Sequence, residues 1–148
     1  MEDIKLIIDN DVLLEYEKHY FNLHPRAKNK PISQPHHPSI NTWFIMKRPM
    51  MNALKQRWKD FMVWFIKYSG YEKLKIEECE MTFTTYFKTK TRHDTDNYSP
   101  KFFLDGMVDG GFIIDDDSNH LKCLTLKCDY SKERPRTEIL VSGIKVGD

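Results

Sequence analysis

The alternation of apolar and polar residues divides the chain into segments of different period. The clearest is KIEECEMTFTTYFKTKTRHDTD, residues 75–96. Its odd positions carry Cys79, Met81, Phe83, Thr85 and Phe87. Its even positions carry Glu78, Glu80, Thr82, Thr84 and Tyr86, then Lys88, Lys90, Arg92, Asp94 and Asp96. A period of two belongs to a strand, so the odd set predicts a core face. An extended backbone running to the end of the segment would set the basic side chains and both aspartates on the other face. His93 shares the parity of the core set and reads as structural.

A different period rules residues 49–68. Leu54, Trp58, Phe61, Met62 and Phe65 recur at steps of three and four, which predicts an amphipathic helix. Pro49 near its start and Gly70 past its end suit the boundaries. Lys55, Arg57 and Lys59 lie off the apolar stripe and read as a solvated face, with DNA contact the rival reading. SPKFFLDGMVDGG, residues 99–111, predicts a shorter helix. Ser99 is its candidate N-cap, Pro100 fits its first position, and Phe103, Leu104, Met107 and Val108 form its stripe. LKCLTLKCDY and TEILVSGIKV predict two further strands, joined by a charged turn. Strand and helix periods compete over residues 1–23. HPRAKNKPISQPHHPSIN, residues 24–41, holds four prolines and predicts a long loop or arm.

Composition narrows the setting. The 148 residues suit one domain. No apolar run is long enough to span a bilayer, and the acidic N-terminus lacks the basic start of a secretory signal, so a cytoplasmic location is expected. Cys79, Cys123 and Cys128 form no disulfide or zinc spacing and read as free thiols.

Charge changes the picture more. Between Asp94 and Asp117 stand seven aspartates and one lysine, Lys101. That is a local charge of −6, against +7 on the rest of a chain whose net charge is +1. An acidic pocket on a basic body fits a protein that holds a cation in one place and phosphates around it. Asp94 and Asp96, two apart, can converge on one hard divalent ion. A third carboxylate from Asp115–Asp117 closes the set if the chain folds back. Such a site suits phosphodiester hydrolysis, with Lys101 as a nearby positive charge. Solvated turns remain the alternative for each of these aspartates when spacing alone is considered.

RHDTDN, then Lys101, then FFLDGMVDGGFIIDDDSN resembles the signature of the RusA-type Holliday-junction resolvases. PSIN, residues 38–41, is similar to that family's N-terminal proline–serine–asparagine loop, and ERPRTEI resembles its phage-type members. The likeness covers about residues 38–144. It implies one small α/β (α+β) domain, a mixed β-sheet with two main helices packed on it. Residues 38–148 would be the endonuclease domain, and residues 1–37 an N-terminal extension or arm holding a candidate first strand. It further implies an Mg²⁺- or Mn²⁺-dependent endonuclease, acting as a homodimer on four-way DNA junctions. By position, Asp94, Asp96 and Asp116 match the metal-binding carboxylates and Lys101 the catalytic lysine. The interval from Asp96 to Lys101 is one residue longer than the family pattern, with Pro100 in the extra place. Lys88, Lys90, Arg92 and Asn41 are the candidate DNA contacts. A branched-DNA binding module without catalysis, and a nuclease that prefers flaps, are the rival readings.

Overall fold

The computed structural model describes residues 1–147. The chain runs β1 (Ile4–Asp9), α1 (Asn10–Leu23), α2 (Ile40–Trp43), α3 (Arg48–Tyr68), β2 (Ile76–Phe87), a 3-10 turn (Thr95–Tyr98), α4 (Lys101–Asp109), β3 (Leu121–Tyr130) and β4 (Arg136–Val146). The four strands form one mixed sheet in the order β1-β4-β2-β3. β4 pairs antiparallel with β1 and β2, and β2 pairs parallel with β3. Parallel neighbours need a crossover, and α4 supplies it. This is the expected α+β architecture, a mixed sheet with helices packed on it. No described helix is long and apolar enough to cross a membrane.

The core lies between the sheet and the helices. Cys79, Met81, Phe83, Thr85 and Phe87 of β2 are all buried, and Glu78, Glu80, Thr82, Thr84 and Tyr86 are not. From α3, Trp58, Phe61, Met62, Phe65 and Ile66 are buried against them. The buried stripe of α4 is Phe102, Phe103, Leu104, Gly106 and Met107, with the expected Val108 only half-buried. Gly106 sits where α4 meets α3 so closely that a Cβ would overlap that of Met62. The competing periods over residues 1–23 resolve in succession. The apolar strand β1 forms a sheet edge on β4, and Asp9 then caps α1 by accepting the Val12 N–H at 3.0 Å. Residues 1–37 are thus built into the sheet and core, with Ile4, Leu6, Ile8, Leu13, Tyr16 and Ile32 buried there.

The strand β2 stops at Phe87, so the extended run to Asp96 does not form. The ladder explains this. Tyr86 is the last residue that β4 covers and Phe87 the last that β3 covers. Beyond them backbone N–H and C=O groups would lack partners, and Lys88, Lys90 and Arg92 lie in an exposed loop. They do not share one strand face with Asp94 and Asp96. The start of α4 also differs from expectation. Pro100 occupies the cap position, and neither it nor Ser99 supplies a side-chain cap. The Phe102 N–H instead donates to His37 Nε2 at 2.9 Å.

Candidate active site

The arm of residues 24–39 is what gathers the site. Thr137 Oγ1 donates to the Pro35 carbonyl at 2.7 Å. His36 Nε2 bonds the Tyr86 carbonyl at 3.0 Å, at the end of β2. His37 then bridges two elements, since its Nδ1 bonds the Pro38 carbonyl at 2.8 Å while Nε2 accepts from Phe102. This pattern needs a neutral imidazole. Burial pushes the His37 pKa down to about 4, against a smaller upward pull from the Pro38 carbonyl. Burial likewise lowers His36, opposed by its bond to Tyr86.

The next residues fold back on the acidic segment. Ser39 caps α2, and the Asn41 N–H donates to Asn97 Oδ1 at 3.0 Å across 56 positions of sequence. Ile40, Asn41, Asp94, Asp96 and Asn97 line one cavity of about 250 Å³. The residues flanking the two aspartates are held by aromatic packing. His93 stacks on Phe87 with ring centres 3.6 Å apart, and its Nδ1 lies 3.2 Å from the Tyr98 hydroxyl. The Asn97 N–H donates to the Asp94 carbonyl, closing the 3-10 turn that turns both aspartates outward. Asp94 and Asp96 are exposed. Arg92 Nη2 stands 3.6 Å from Asp94 Oδ1, and Lys90 Nζ lies 5.1 Å from the Tyr130 ring centre. Lys88 is exposed beyond β2, and Lys101 is exposed as the first residue of α4.

Asp116 lies in different company. Burial first, then Asp115 and Asp105, push its pKa up. Asp105 is 3.7 Å from Lys55 Nζ of α3, with Oδ2 buried and without a hydrogen-bond partner. One helical turn on, Asp109 pairs with Lys59 at 2.9 Å. Asp94 and Asp96 enter before α4 and Asp115–Asp117 after it. Among the described residues no three His, Cys, Asp or Glu side chains form a group placed to hold one metal ion. The structure therefore brings together Asn41, Asp94 and Asp96, and does not join Asp116 to them as a ligand set. Mg²⁺ is commonly held by one or two protein carboxylates, water and substrate phosphate. Asp94 and Asp96 fit that smaller donor set.

Two features escaped the sequence reading. The first is the arm, whose prolines and histidines look like loop filler until their partners in β2, β4 and α4 are in place. The second is a charge pattern. From His24 to Lys59 there are eight lysines and arginines and no acidic residue. The near balance of the whole chain hides this run, and a windowed charge count would have found it.

No family model matches the chain, and no curated protein matches it closely enough to carry an identification.

Proposed function

We propose that this chain is a metal-dependent endonuclease of the RusA type. It would act on branched DNA, with the four-way junction as substrate and a homodimer as the acting form. One observation carries the reading. The PSIN loop and the DTDN segment, far apart in sequence, meet at a single cavity lined by Asn41, Asp94, Asp96 and Asn97.

In this reading Asp94 and Asp96 hold Mg²⁺ or Mn²⁺. When bound, the ion supplies Lewis-acid polarisation of a phosphoryl oxygen and a lowered pKa for water. The chain's own residues do the rest. The Asn41–Asn97 bond fixes the loop against the carboxylates, so the cavity keeps its shape as the backbone phosphate enters. Arg92, beside Asp94, offers the phosphate a cation at the rim, and Lys88 and Lys90 extend the positive charge through the exposed loop before it. Lys101 places a positive charge at the head of α4 for the developing negative charge. Asp116 is assigned as the third carboxylate by its match to the family pattern alone, since the structure does not group it with Asp94 and Asp96. A four-way junction is close to two-fold symmetric and needs two cuts, which a C₂ dimer with two equivalent sites provides.

The test is cleavage of a synthetic four-way junction, a flap and a linear duplex, with Mg²⁺, with Mn²⁺ and with EDTA. The reading expects paired, metal-dependent nicks in the junction. Preferential cutting of the flap would move the assignment to another branched substrate. The lack of a three-carboxylate group among the described residues favours one second reading, a branched-DNA binding module without catalysis. Tight junction binding with no cleavage under either metal would select it.

A further inference from the structure

At the centre of the acid-free run stands the tip of α2. Phe44 is 75% exposed and Ile45 is 83% exposed, more than any other large apolar side chain described. Two adjacent large apolar side chains left in water are a standing cost. After Met46 come Lys47 and Arg48, and no described carboxylate lies within ion-pair reach of either. The base of the tip is fixed. Asn41 is bonded to Asn97, and the Trp43 ring packs on Phe102 with centres 5.3 Å apart.

Residues of α2 and of the turn after it line two cavities. One is the Asp94–Asp96 cavity, walled by Ile40 and Asn41. The other is a larger one of about 560 Å³, whose wall includes Thr42, Met46, Leu54, Arg57 and Trp58 and no carboxylate. Two side chains cover too little for a stable self-association, which needs about 800 Å² per partner. They do match one base step, and the flanking cations match its phosphates.

We propose that Phe44 and Ile45 form a wedge that enters the branch point of the DNA and unstacks a base step there. Lys47 and Arg48 hold the adjoining phosphates, and the larger cavity receives the displaced nucleotide beside Arg57 and Trp58. Apolar wedges with flanking cations are a known means of opening a base step, at a cost that is lower at a branch already unstacked. This rests on the branched-DNA nuclease reading and adds to it how the branch, rather than plain duplex, is selected.

The probe is a four-way junction carrying 2-aminopurine next to the branch point, with a linear duplex labelled alike. In EDTA, wild type should raise the junction's fluorescence and leave the duplex unchanged. The exposed-site double variant Phe44→Ala/Ile45→Ala should lose most of that rise while holding duplex as before. In Mg²⁺ it should cut the junction about tenfold more slowly, the worth of roughly one base stack. Phe44→Leu should restore part of both signals. If the double variant matches wild type in fluorescence and cleavage while wild type cuts junctions, the wedge is wrong and the nuclease reading stands. If wild type neither binds nor cuts branched DNA, both fall. Loss of vesicle binding or of self-association in the variant, with DNA signals unchanged, would give the patch to another partner and overturn the wedge.

Discussion

The chain has two acidic regions beside α4, and they differ in what neutralises them. After the helix begins, Asp105 and Asp109 face Lys55 and Lys59 of α3, and Asp116 is half-buried among Asp115 and Asp105. Before it, Asp94 and Asp96 are exposed on a cavity wall with Asn41 and Asn97, and their only described cation is Arg92 at 3.6 Å from Asp94. Carboxylates held by lysines of a neighbouring helix dock that helix. Carboxylates turned toward an open cavity, on a turn fixed by other residues, are available to a ligand. The same residue type thus serves packing at one place and, in the reading proposed, chemistry at the other.

The sharpest break in this comparison is a matched pair of substitutions. Asp96→Asn should lower Mg²⁺-dependent junction cleavage on the order of a hundred- to a thousandfold, as loss of one transition-state contact does. Asp105→Asn should leave cleavage within the scatter of wild type. Equal losses in steady-state rates would erase the distinction between the regions.

A smaller effect probes the cavity's support. His37 is held neutral, with a folded pKa of about 4 against 6.5 when free. A lowered folded value means the unfolded chain binds the extra proton first. The stability His37 contributes is complete above pH 6.5 and is lost as pH falls toward 4, by about 3 kcal/mol in all. Denaturant midpoints measured across that window should fall with pH, and His37→Gln should flatten the slope. An unchanged slope would detach His37 from the head of α4.

Next is the contact that docks α4 on α3. Gly106→Ala forces a methyl against Met62, and overpacking of this kind costs about 2 kcal/mol. Thermal melts should show that loss, and junction cleavage should decline with it because Lys101 rides on the same helix. The smallest effect concerns Asp116. Removing a charge that burial and two neighbours disfavour should leave Asp116→Asn at least as stable as wild type. The same variant should lose cleavage if Asp116 is the third carboxylate. A destabilised but active Asp116→Asn protein would reverse both statements.

Much of the fold was legible because burial imposes a period. The odd positions of β2 and the α3 stripe from Trp58 to Phe65 are core where the pattern placed them, with Leu54 only half-buried at the start of the stripe. The end of β2 was not legible, since polar alternation continues through Lys88, Lys90 and Arg92 while the neighbouring strands do not. A strand ends where its partners end, and that is written elsewhere in the chain. The site was legible as two motifs but not as one place. Nothing local in PSIN or DTDN says that Asn41 will bond Asn97. The capping of α4 by His37 is likewise a tertiary fact, and it displaced the local expectation at Ser99.

The central claim is that Asp94 belongs to a metal-dependent cleavage site and not to a structural turn. It is tested most directly by measuring junction binding and junction cleavage side by side for wild type and Asp94→Asn, in Mg²⁺ and in EDTA. The account predicts that wild type cuts only with the metal, and that Asp94→Asn binds the junction as tightly or more tightly and does not cut. Cleavage by Asp94→Asn at the wild-type rate would contradict it.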